Sequence, residues 1–172
     1  MCFPFGPTTA ECEEKMVVKT KHFGEIDLAE DKVLTFENGI LGFENCTRYT
    51  ILYNNESGER PVISWLQSLD EPELALPVIS PLFVKEDYNP VVEDELLAGI
   101  GELNEENQVI FVTLTVPKDL TKMTANLKAP IVINADTRKG CQVVAENHDY
   151  SVRYSVYERF AKAKQEKEGK TC

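Results

Sequence analysis

From Met16 onward, apolar residues alternate with polar ones at a period of two, not the period of about 3.6 that marks a helix. Short runs rich in Val, Ile, Thr and aromatics recur, and side chains of this kind suit a pleated surface. The pattern predicts strands at Val17–Thr20, Gly24–Leu28, Val33–Phe36, Tyr49–Tyr53, Val62–Leu66, Ala75–Ile79, Leu97–Leu103, Val109–Val116, Met123–Leu127, Ile131–Asn134 and Gln142–Ala145. Turn chemistry separates them. Glu37-Asn38-Gly39 admits a positive φ, Asn54–Gly58 reads as a loop, and Asn104–Asn107 reads as a polar hairpin connection. Pro130 falls between two strands, where a missing N–H suits an edge or a sharp corner. Val91–Leu97 fits one helical turn. Ser155–Gln165 is the one properly helical stretch, with Val156, Phe160 and Ala163 on a single face.

Many short strands at regular spacing predict an all-β fold. The expected architecture is a small β-barrel-like unit, a pseudo-barrel or sandwich of antiparallel strands, with a short C-terminal helix. Met1–Lys15 has two Pro, a Gly, paired Thr, a Glu-rich close and no periodicity, so residues 1–15 are expected to be an unstructured extension. The barrel domain is expected over residues 16–154, and the helix and tail over 155–172. A chain of 172 residues with 42% apolar content is long enough to bury a real core as one domain. No apolar run approaches the roughly 18–20 residues of a membrane span. The start, Met1–Pro7, has no basic region and no sustained apolar stretch, so it is not a secretory signal. Five cysteines, an odd number without a CxxC pair, read as reduced thiols of a cytoplasmic protein.

Charge is distributed unevenly. Residues 1–117 carry 22 Asp and Glu against 7 Lys and Arg, whereas residues 118–172 carry 7 against 11. The sharpest stretch, Glu86 to Pro117, holds eight carboxylates and no Lys or Arg. With a net charge of −11, the chain disfavours nucleic acid and anionic lipid and favours encounter with basic proteins.

A search for catalytic chemistry finds little to work with. His22 and His148 lack neighbours at metal-ligand spacing. There is no nucleophile elbow and no phosphate-binding loop, and Gly99-Ile100-Gly101 lacks the third Gly of a dinucleotide site. The residues therefore give no catalytic set, no metal site and no cofactor. Trp65, the only tryptophan, is read first as a core anchor and second as an interface residue.

Several phrases, taken in order, carry a resemblance. They are Thr20-Lys21-His22-Phe23-Gly24-Glu25-Ile26, Phe36-Glu37-Asn38-Gly39-Ile40-Leu41-Gly42-Phe43-Glu44, Trp65-Leu66-Gln67-Ser68, Pro77-Val78-Ile79-Ser80-Pro81, Thr124 through Asn134, and Gly140-Cys141-Gln142-Val143-Val144. As a set the chain resembles the flagellar assembly factor family, FliW, from about Met16 to Tyr154. It departs at Leu41, where the family usually places Pro in the turn. The resemblance implies a small β-barrel-like fold, no enzymatic activity and a cytoplasmic protein-binding regulator. Its implied partners are the RNA-binding translational repressor CsrA and flagellin. Sequestering the repressor relieves its block on flagellin translation, and accumulating flagellin takes the assembly factor away again. Translation is thereby coupled to export.

An acidic protein docked beside a phosphate-binding surface attracts the repressor and repels RNA, over a Debye length of about 8–10 Å. Three clusters are candidates for that contact: Asp70, Glu71 and Glu73 around Pro72; Glu93, Asp94 and Glu95, with Glu86 and Asp87 nearby; and Glu102, Glu105 and Glu106 at a hairpin tip. Two other classes compete with this reading. A small-ligand or flavin-binding split barrel would need a cluster of Arg, Lys, Ser and Thr for a cofactor phosphate, which is missing before residue 118. A secretion chaperone that binds flagellin alone would differ by its lack of repressor binding.

Overall fold

The computed structural model describes residues 15–53 and 61–170, with side chains to Ala163. The expectations for residues 1–14 and for the Asn54–Gly58 loop lie outside the described residues. Lys15 already belongs to the first strand.

Eleven strands are present among the described residues: β1 (Lys15–Lys19), β2 (Glu25–Ala29), β3 (Leu34–Thr35), β4 (Arg48–Leu52), β5 (Ile63–Ser68), β6 (Ala75–Ile79), β7 (Gln108–Thr115), β8 (Thr124–Ala125), β9 (Ile131–Asn134), β10 (Lys139–Gln142) and β11 (Tyr154–Ser155). Helices are few: α1 (Pro81–Val84), α2 (Asp94–Leu97) and the C-terminal α3 (Tyr157–Lys170). The fold is thus all-β with a C-terminal helix, as the alternation predicts.

The sheet closes on itself. Neighbours run β7-β6-β5-β4-β3-β10-β9, and β9 pairs back onto β7, which makes a seven-stranded barrel. All of these pairs are antiparallel except β3 with β10, a single parallel bridge between Thr35 and Lys139. β7 is long enough to do three jobs: Gln108–Phe111 pair with β9, Val112 and Thr113 with β6, and Leu114 and Thr115 with β8. The corner from β8 to β9 is built by Asn126, whose side-chain oxygen accepts from the N–H groups of Lys128 and Ala129, and by the buried Pro130.

Alternation sorts the strand residues to the two faces of the barrel wall. Phe36, Tyr49, Leu66, Val78, Phe111, Ile131 and Ile133 form the interior, with the Phe36 and Tyr49 rings edge to face. Val132, between two interior residues, faces outward and packs on Ile100 and Val143. A third cluster, built on Ile79, Val112, Leu114, Leu127 and Val156, carries α3 and the segment from α1 to Tyr88.

Several sequence expectations change. The strand expected at Gln142–Ala145 lies earlier, at Lys139–Gln142, and the helix expected from Ser155 starts at Tyr157, Ser155 being paired in β11. Leu97–Leu103 is not a strand. α2 continues into a tight helical turn at Ala98–Ile100, and Gly101 ends it at φ 91°. Leu97, Ile100 and Leu103 are spaced by three, which suits a tight helical turn and not the period of two that a strand needs. Trp65 is half-buried on the outer face of β5, with the His22 ring 4.0 Å from it, centroid to centroid. Together with the buried Gln67, whose Oε1 accepts from the Lys21 N–H, it fastens the β1–β2 hairpin to the barrel.

Candidate functional site

The β5–β6 pair has two ends, and the acidic candidates divide between them. At one end lies the turn that carries Asp70, Glu71 and Glu73. Ser68 opens it by accepting from the N–H groups of Asp70 and Glu71, and Gln67 closes it by donating to the carbonyls of Pro72 and Leu74. Glu71 and Glu73 project into solvent. Asp70 turns inward: it accepts from the N–H groups of Thr47 (2.8 Å) and Arg48 (3.0 Å) and from the Arg48 guanidinium (3.1 Å). Burial pushes its pKa up, but the N–H donors of Arg48 and Thr47 and the guanidinium outweigh that and hold it below the usual carboxylate range.

At the other end β5 begins and β6 stops, and here a groove of about 980 Å³ opens. Its floor comes from Val62 and from Ile110 of β7, and its wall from Leu82, Phe83 and Val91. Asp94 and Glu105 both line it, which brings together one member each of the second and third clusters. Glu93 precedes α2 and Glu95 follows Asp94 on it, Glu106 follows Glu105, and all are exposed. Among the described residues, the lining holds no Lys or Arg.

The wall is held firmly. Tyr88 donates to the Leu127 carbonyl and stacks on Tyr150, whose hydroxyl accepts from the Asn89 N–H. Burial pushes the Tyr88 phenol well above its usual pKa, so it stays a neutral donor. Asn147 accepts from the Val91 N–H and donates to the Asn89 carbonyl. Arg159 of α3 donates to the Phe83 carbonyl and lies 4.8 Å above the Phe83 ring. On the opposite side, the buried Asn107 fixes the Glu102–Glu106 turn by donating to the Glu102 carbonyl and to Asp136. Glu102 thus contributes its backbone to this hub, while its side chain is exposed. Glu86 and Asp87 are exposed on the approach to the wall, Asp87 paired with Lys85 at 3.0 Å.

Sequence reasoning finds the acids of this groove but not its apolar surface. Val62, Leu82 and Val91 are 44%, 56% and 51% exposed. Each directly follows a proline (Pro61, Pro81, Pro90), but so do the interior residues Val78 and Ile131, so the sequence carries no signal that separates them.

Fold and site together define a small closed β-barrel with an acidic, apolar-floored groove at one end. The family model described as FliW protein matches residues 16–156. The flagellar assembly factor FliW of Lachnoclostridium phytofermentans is 60% identical over 154 residues, covering 90% of this chain and 99% of that protein. The FliW of Lachnospira eligens is 54% identical over 144 residues, with 83% and 95% covered. A crystal structure of the flagellar assembly factor FliW superposes with a TM-score of 0.75 at 30% identity, covering 82% of this chain and 96% of that one. The chain belongs to the FliW family of flagellar assembly factors.

Proposed function

We propose that this protein is a non-enzymatic, cytoplasmic regulator that binds and antagonises the repressor CsrA and also binds flagellin, so that flagellin translation follows export. One observation carries the reading: two acidic segments separated in sequence converge on one groove whose described lining has no cation. A basic RNA-binding protein is attracted to such a face. Once docked there, it holds RNA phosphates within a Debye length of the carboxylates, about 8–10 Å, where they are repelled. The same lining does not suit a cofactor phosphate, which argues against the flavin-barrel alternative. The two partners follow from the family resemblance, and the acidity of the groove supports the first of them.

The test is stopped-flow association with CsrA across ionic strength. Neutralising Asp94, Glu105 and Glu106 as Asn, Gln and Gln should slow association by about tenfold at low salt and flatten its salt dependence, because charges at an interface rim mainly steer encounter. Glu71→Gln with Glu73→Gln, at the far end of β5, should do less. Equal effects would mean a global field without a special face. No effect from either set would place the interface elsewhere.

A further inference from the structure

The groove combines its two carboxylates with apolar side chains left open to solvent. Leu82, Val91 and Val62 stand exposed beside Asp94 and Glu105. Contiguous apolar surface of this kind on a folded domain marks an interaction site. Its edges are stiff, because Pro61, Pro81 and Pro90 fix the backbone at the three places where those side chains emerge. A stiff, preformed groove loses little conformational freedom when it is filled.

We propose that this groove seats a linear segment of a protein partner in which large apolar side chains are flanked by Lys or Arg. The proposal rests on the reading of the acidic face as a partner surface and adds the form that the partner's docking element takes. Charge complementarity selects this occupant. An apolar segment without cations would leave Asp94 and Glu105 facing a desolvating neighbour with no counter-charge. A basic segment without apolar side chains would leave Leu82, Val91 and Val62 in water. Only the combination satisfies both sets of residues. The two parts divide the work: the carboxylates raise the association rate, and the apolar contacts set how long the complex lasts.

The experiment uses the full chain and three short fluorescent peptides, composed of Leu and Lys, of Leu and Glu, and of Ser and Lys. Binding is read by anisotropy, and its place by methyl NMR shifts. The Leu/Lys peptide should bind saturably and shift the methyls of Val62, Leu82 and Val91. The Leu/Glu peptide should not bind. The Ser/Lys peptide should bind at least about tenfold more weakly than Leu/Lys, and the deficit should persist at high salt, where charge is screened. Leu82→Ser with Val91→Ser, both at exposed positions, should weaken Leu/Lys binding at least about tenfold at every salt concentration. Asp94→Asn with Glu105→Gln should weaken it at low salt only. The proposal is overturned if Ser/Lys binds as tightly as Leu/Lys, or if the double serine variant binds like the parent. Parallel titrations with CsrA separate the two ideas. If CsrA binds the parent and the double serine variant equally, the groove assignment falls and the functional reading stands. If the peptide occupies the groove but CsrA does not bind the parent, the functional reading falls and the groove stands.

Discussion

Four donors converge on Asp70, and they make it a different residue from Glu71 one position on. Its carboxylate is only 26% exposed and ties the β5–β6 turn to the start of β4. Asp70→Ala is expected to lower stability by about 1–2 kcal/mol, chiefly through the two orphaned backbone N–H groups, since the half-exposed ion pair adds little. The pH dependence has a definite sign. Because folding depresses this carboxyl's pKa, its contribution is complete above the ordinary Asp value of about 4 and is lost as pH falls through the lower folded value. Thermal melts should show a gap between parent and Asp70→Ala at neutral pH that closes as pH falls below the ordinary Asp range. A gap independent of pH would mean that the carboxylate is not the source. None of this was legible in the sequence, where Asp70, Glu71 and Glu73 are three equivalent carboxylates around Pro72; the donors come from another strand. Gly39 shows the reverse. Its Asn-Gly context predicted a positive φ, and the structure has φ 67°, with space so tight that a Cβ would meet the Phe43 carbonyl at 2.6 Å. Two residues on, the Leu41 N–H is used, donating to Gln142 Oε1 at 2.9 Å.

At the scale of elements, local alternation placed most of the strands, and the turn at Asn104–Asn107 has the polar hub its sequence suggests, although it leads from a helical turn into β7 and is not the hairpin connection expected. What failed was the distinction between a period of two and a period of three across Leu97–Leu103, where the run is short and Gly101 decides the outcome. The groove itself was half legible. Charge runs are visible in one dimension, but the pairing of Asp94 with Glu105 depends on how β7 returns past α2. The C-terminal helix, read as a packing element, has a more particular position than that, because Arg159 and Phe160 both reach Phe83 in the groove wall, the two rings 5.2 Å apart. Arg159→Ala should therefore loosen the wall at a distance from the acidic residues. The expected result is a several-fold loss of CsrA affinity that salt does not rescue, with a fall in melting temperature of a few degrees, corresponding to about 1 kcal/mol. If affinity is unchanged while stability falls, α3 supports the core and not the groove.

The whole molecule combines a closed barrel with a strongly negative field. That field leads to a simple expectation: at physiological salt, filter binding with flagellin leader RNA should detect no complex with this protein alone, since the phosphates meet a net charge of −11. Saturable binding would remove the electrostatic basis of the proposed antagonism. Among the described residues, no helix is long and apolar enough to cross a membrane. Barrel architecture was legible in the number and spacing of the strands, but closure was not, because it depends on one long strand serving several neighbours and on a single parallel bridge. That bridge also governs how the chain reaches its fold. β3 is among the first barrel strands to leave the ribosome, and the strand that completes its pairing, β10, is the last of the ring to be made. Pairings so distant in sequence are slow to form, since loop-closure entropy must be overcome before any contact offsets it. Until residues 139–142 insert between β3 and β9, the nascent sheet keeps two open edges, each able to pair with another unfinished chain. High rates of synthesis therefore expose this protein to edge-to-edge misassembly at a stage when none of its mature surface has yet formed.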